Sequence, residues 1–220
     1  MNLEQLIASF RVDADDLAEP FLFSDDWIAG WLTEAQSEAA IRGRLILEDA
    51  DPDVCQIAVT AGTASYELHH SVYEIADLRF MPTGASKSTP LALVTREWLD
   101  DKRPGWRDNC KELSFAIQSD HRLRIVGAPS TDGALHLEAY RVPLNALEND
   151  VDTPELSEAH HRHLIYWALH RAFSRPDSET IDPQRADRAL EAFTRYFGLS
   201  PDSDMRRSTR HDLQQTNALW

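Results

Sequence analysis

The sequence predicts an α+β protein: a helical bundle built from both ends of the chain, a β-rich module inserted between them as a small sandwich or curled sheet, and an extended C-terminal tail. Three observations predict it. Apolar residues recur at helical spacing near both ends, the middle of the chain alternates in short runs cut by turn signals, and the stretch after Gly198 has no period. The expected divisions are residues 1–50 for the first bundle helices, 51–150 for the β-rich insertion, 151–198 for the last helices and 199–220 for the tail.

Leu3, Leu6, Ile7 and Phe10 lie on one face of a helix expected over residues 2–12, which Glu19-Pro20 separates from the next. Ser24 is a good N-cap, and Asp25 and Asp26 put negative charge on the positive end of the helix dipole. Ile28, Trp31, Leu32, Ala35, Ala39 and Ile46 then continue at helical spacing, which predicts a helix over residues 25–47. Beyond Asp51-Pro52 the period becomes two. Ile57 and Val59, then Tyr66 and Leu68 across Ala61-Gly62-Thr63, read as a hairpin. Further strands are expected over 72–81, 91–95, 113–117, 123–126 and 134–142, with a helical turn over 96–101. Thr153 before Pro154 reads as an N-cap followed by proline at the first helical position, and Leu164, Ile165, Ala168, Leu169, Ala172 and Phe173 then share one side of the helix. Asp182-Pro183 repeats the start signal. Ala186, Ala189, Leu190, Phe193 and Phe197 form the last stripe, with Gly198 as C-cap.

The charge balance narrows the function. Thirty-seven acidic against 22 basic residues give a formal charge of -15 and a sequence pI near 4.9. Tight DNA binding needs the opposite sign, because its affinity comes from lysine and arginine displacing condensed counterions. An acidic wall can instead let DNA slide past without adhering. No run is long and apolar enough to predict a membrane span, and the acidic N-terminal stretch lacks a signal-peptide pattern, so synthesis in the cytosol is expected. The two cysteines, Cys55 and Cys110, have neither CxxC nor Cys/His spacing, which predicts no disulfide and no zinc site.

Catalytic patterns are absent: no GxSxG, no phosphate-binding glycine loop, and acid pairs only where acids serve as caps or solvated charge. No enzymatic activity and no cofactor are expected. His160 and His163 have a spacing that could hold a metal, but no HExxH or paired ExxH accompanies them. The expected reading is a core His161 and a surface His163. Of the six tryptophans, Trp31 and Trp167 fall on core stripes, whereas Trp106, beside Arg107, and Trp220, next to Leu219, sit in polar stretches where a large aromatic serves either an interface or local packing.

The segments SDDWIAGWLTEAQSEAAIRGRLI, IAVTAGTASYEL, PGWRD, LHLEAYRVPL and DTPELSEAHHRHLIYWALHRAFSRPDSETIDPQRADRALEAFTRYFG, in that order, resemble the head-to-tail adaptor (neck or connector) proteins of tailed bacteriophages over nearly the whole chain to Gly198. The resemblance implies a virion structural protein of the neck, made in the host cytoplasm, whose partners are the portal protein and tail or neck proteins. It implies a homo-oligomeric ring, a dodecamer in the particle, below the portal, with DNA passing through the channel without sequence-specific binding. It also implies docking through a C-terminal arm, for which Arg206, Arg207, Arg210, Leu219 and Trp220 are the matching candidates, with Trp106 and Arg107 as a candidate interface loop. A tail completion or terminator subunit and a non-viral protein-interaction module are the alternatives.

Overall fold

The computed structural model describes residues 1–107, 113–176 and 180–201. Among these the chain is mixed α+β, with six helices and two small sheets. It divides into two compact units, one formed by Met1–Ile46 with Arg141–Ser200 and the other containing Leu47–Tyr140.

The first unit holds α1 (Leu3–Ala14), α2 (Asp25–Gly43), α5 (Glu158–Phe173) and α6 (Pro183–Phe197). Their apolar stripes close on one core, in which Leu6, Phe10, Ile28, Leu32, Leu164, Ile165 and Phe193 are fully buried. Trp31 and Trp167 are half-buried and pack against it, as their positions on the stripes predict. Local chemistry sets most ends. Asn2 and Gln5 form a reciprocal capping box on α1, Ser24 accepts from the Trp27 N–H on α2, and Asp182 accepts from the Arg185 N–H on α6 with Pro183 in the first turn. Gly198 closes α6 at φ 94°, a conformation that suits a residue without Cβ.

Two helix ends differ from expectation by a full turn. α2 stops at Gly43 rather than running to residue 47, because Arg44 adopts the left-handed conformation (φ 49°) and returns its N–H to the Ala40 carbonyl. α5 begins at Glu158 after Ser157, not at Thr153-Pro154. The residues between are used otherwise: Glu155 pairs with Arg141 at 2.7 Å and accepts from the Leu144 and Asn145 N–H groups, and the Leu156 carbonyl lies 2.9 Å from the ring of His161.

The second unit opens with β1 (Leu47–Glu48) and the single turn α3 (Pro52–Cys55), followed by β2 (Gln56–Val59), β3 (Ser65–Glu67) and β4 (Val72–Pro82). The short strands β5 (Thr89–Pro90) and β6 (Ala92–Leu93) lead to α4 (Arg96–Lys102). β7 (Phe115–Gln118), β8 (Arg122–Val126) and β9 (Gly133–Arg141) complete it. One sheet runs β1-β9-β4-β5 with β2 also on β9, and the other runs β3-β8-β7-β6. In β9, Leu135, Leu137 and Ala139 point inward while His136 and Glu138 are exposed, the alternation of a strand with one covered face. The two sheets share one core, to which Leu78, Phe80 and Leu135 contribute from one side and Leu123 and Ile125 from the other. Gln118 ties them: its buried amide accepts from the Ile75 N–H and donates to the Tyr73 carbonyl, both at 3.1 Å.

The expected hairpin over residues 57–68 is not formed. Ile57 pairs with Leu135 in the first sheet, and Tyr66 pairs with Leu123 in the second. The intervening turn is held from elsewhere: Ala61 donates to the Asp132 carboxylate and Gly62 to the Pro129 carbonyl, both at 2.8 Å. The chain therefore changes sheets at this turn instead of folding back.

Candidate interaction surfaces

The segment between α1 and α2 is built around a buried ion pair. α1 ends at Asp15, whose left-handed backbone (φ 61°) turns the chain so that Asp16 points back beneath Arg11. Arg11 donates to Asp16 at 2.7 Å, to the Phe23 carbonyl at 3.1 Å and to Asp25 at 2.5 Å. Asp16 in turn accepts from the Leu22 N–H at 2.8 Å and the Phe23 N–H at 3.3 Å. A buried carboxylate with three donors is compensated for the water it has lost. Phe23 is the anchor of the segment, fully buried and edge-on to Phe10, Trp31 and Phe173 at ring separations of 5.7, 5.8 and 6.1 Å.

What this anchoring leaves outside is apolar. Val12 is 64% exposed, Leu17 65%, Phe21 41%, Leu22 52% and Trp27 46%. The Arg11 guanidinium lies 3.8 Å from the Phe21 ring centre and Arg175 lies 3.7 Å from that of Trp27, which fixes both rings without covering them. Exposed aromatic and aliphatic side chains on a segment this firmly tied are the signature of a contact surface, because a loop free to collapse would hide them. These residues lie off the helical stripes, and the sequence expectation assigns none of them to a contact surface. Their signal was the density of large apolar side chains in a stretch that had no core face to supply.

The loop singled out around Trp106 and Arg107 lies in the other unit. Trp106 is buried with Val94, Leu99, Ile117 and Val126 in a small separate core, with Trp98 and Phe115 packed against it. Its indole N–H donates to Asp100 at 2.8 Å, and Arg107 forms a two-pronged ion pair with the same carboxylate. These bonds, the one from Arg107 first, hold the Asp100 carboxyl down to about 2. Trp106 thus packs locally, and what the loop and the neighbouring strand β8 display over this small core is guanidinium: Arg107 at 4.4 Å and Arg124 at 5.3 Å from the Trp106 ring centre, and Arg103 at 5.8 Å from that of Phe115. Arg103 and Arg124 have no carboxylate partner among the described residues.

The histidines do not converge. His161 is buried, its ring nitrogens 3.0 and 2.9 Å from the Met1 and Leu156 carbonyls. His163 is half-buried rather than turned to solvent, and stacks on Tyr196 with ring centres 3.5 Å apart. Burial first, then the nearby His160 and Arg162, push its pKa down, and its Nδ1 is buried without a partner. His160 meets the Tyr196 hydroxyl at 3.2 Å. Among the described residues no three His, Cys, Asp or Glu side chains group as metal ligands would. Cys55 is buried and donates its thiol to the Glu48 carbonyl. Arg206, Arg207, Arg210, Leu219 and Trp220, together with Cys110, lie outside the described residues. No described helix is long and apolar enough to cross a membrane.

No curated protein matches the chain. The family model of the SU10 adaptor protein matches residues 1–215. With a match that spans almost its entire length, the chain belongs to the SU10 adaptor protein family.

Proposed function

We propose that the protein is a structural, non-enzymatic head-to-tail adaptor of a tailed phage, joining the portal below the head, forming a ring that extends the DNA channel, and offering the surface to which the tail attaches. The observation that carries this reading is the family match over residues 1–215. The four helices α1, α2, α5 and α6 act in it as a bundle, and the segment after Gly198 as a docking arm. The ring is a dodecamer matched to the portal, and the partners are the portal protein above and tail or neck proteins below. The protein is made in the host cytoplasm and resides in the virion neck.

The charge supports the role. At -15 the chain does not grip nucleic acid, so DNA can pass without sequence-specific binding. The exposed apolar side chains of residues 12–27 support it too, since an adaptor has to offer surface to partners.

The test mixes the full chain, and in parallel a chain ending at Gly198, with the portal ring of the same particle and measures mass and negative-stain images. A stoichiometric ring added by the full chain but not by the shortened one is the expected result. If neither binds the portal, the adaptor reading fails, and a tail completion or terminator role takes its place.

A further inference from the structure

We infer that neighbouring copies meet head to tail, the segment between α1 and α2 of one copy docking on the guanidinium cluster around Trp106 of the next. The inference rests on the adaptor reading only in taking the protein to work in several copies. Its grounds are complementary charge and complementary surface.

The acceptor side carries the exposed Leu17, Phe21 and Leu22, and beside them Asp15, Glu19 and Asp26, exposed carboxylates with no basic partner among the described residues. The donor side carries Arg103 and Arg124, exposed guanidiniums with no carboxylate partner among the described residues. Arg107 stands with them, already oriented by Asp100. In a chain of net charge -15, guanidiniums gathered on one aromatic cluster, Arg103 and Arg124 among them without a carboxylate partner among the described residues, stand out from the acidic balance of the whole.

Guanidinium suits this task better than ammonium. Its planar faces lie comfortably against apolar groups while its edges take carboxylates, and arginine is accordingly enriched in interfaces where lysine is depleted. The two surfaces are different patches of one chain, so the contact is heterologous, the kind that closes into a ring when the rotation permits. Neither surface complements itself: acidic residues repel a second acidic segment, and the guanidiniums repel a second cluster. Both partners are pre-shaped, the acceptor by the Arg11–Asp16 pair and the donor by Asp100. Little ordering is therefore required on contact.

The test traps the contact between full-length chains. One variant carries Glu19→Cys and the other Arg124→Cys, each with Cys110→Ser, and they are mixed at low salt under mild oxidation; Cys55 is buried and stays in place. The expected result is a disulfide-linked heterodimer forming about tenfold or more faster than either homodimer, with the advantage lost as salt rises. A second measurement uses sedimentation velocity on two charge-reversed chains, Glu19→Arg with Asp26→Arg, and Arg103→Glu with Arg124→Glu. Each alone is expected to associate about tenfold more weakly than the native chain, and their equal mixture to recover, since every contact in an alternating assembly is then between opposite charges. A heterodimer no faster than the homodimers, or association unaltered by charge reversal, overturns the inference. Portal binding that survives such a result keeps the adaptor reading and moves the contact between copies elsewhere.

Discussion

Replacing Asp16 with alanine tests whether the buried ion pair is what holds the segment between α1 and α2. The side chain of Asp16 is 2% exposed and that of Arg11 10%. The substitution removes the 2.7 Å ion pair, strips the Phe23 N–H of its acceptor inside the core, and frees the Leu22 N–H. Breaking a buried pair from one side costs about 3–5 kcal/mol, because the charge left behind has no water to replace its partner. Arg11 keeps Asp25 and the Phe23 carbonyl, and Leu22 is exposed enough for its N–H to reach solvent, so the lower end applies, about 3 kcal/mol. If Met1–Ile46 with Arg141–Ser200 unfolds as one unit of roughly a hundred residues, that is a fall in Tm on the order of 15 °C. Urea titration followed by far-UV circular dichroism measures the difference directly. Asp16→Asn keeps one acceptor oxygen without the charge and should fall between the native chain and Asp16→Ala. A loss below about 1 kcal/mol, the size of an exposed pair, would refute the argument that this pair is desolvated and anchors the segment.

Other perturbations follow from single contacts. His163 has its pKa lowered by burial, so the unfolded chain takes the proton first: stability falls as pH drops below the ordinary histidine value and levels off below the folded one. Thermal melts at pH 7.5 and pH 5.5 should therefore show a smaller difference for His163→Phe than for the native chain, and an equal difference would remove His163 as the cause. Gly133→Ala drives a Cβ into the Met81 carbonyl and to 2.8 Å from the Phe80 ring, which predicts a loss of about 2–3 kcal/mol in denaturant titration. Asp182→Ala removes the acceptor of the Arg185 N–H and should cost about 1 kcal/mol, whereas Asp182→Asn should cost little.

Helix ends were legible where the chemistry that sets them is local. Asp182, Pro183 and Gly198 bracket α6 because capping needs only a side-chain oxygen, a missing N–H and a tolerated backbone angle within a few residues. The same signal at Thr153-Pro154 misled, since Glu155 is drawn to Arg141 and the preceding stretch is spent on that contact. Period-two runs announced the strands but not their partners. Val59 pairs with Gly133 and Ser65 with Arg124, more than fifty residues away in each case, and no alternation in residues 57–68 encodes that choice. The surfaces were half legible. Trp106 drew attention through its polar setting, but its burial depends on Leu99 and Val126 arriving from separate elements. The exposed side chains between α1 and α2 look like core residues until it is known that Phe23 alone takes the inward place.

The chain leaves the helical unit at Ile46 and returns at Arg141, and the Arg141 N–H donates to the Ile46 carbonyl at 3.1 Å. To the helices, everything between is a loop whose ends already touch. Lengthening, trimming or exchanging that stretch changes closure entropy only slowly and strains no helix. The strand-built part is in that sense a cassette, since a longer or shorter replacement still begins and ends where the helices need it.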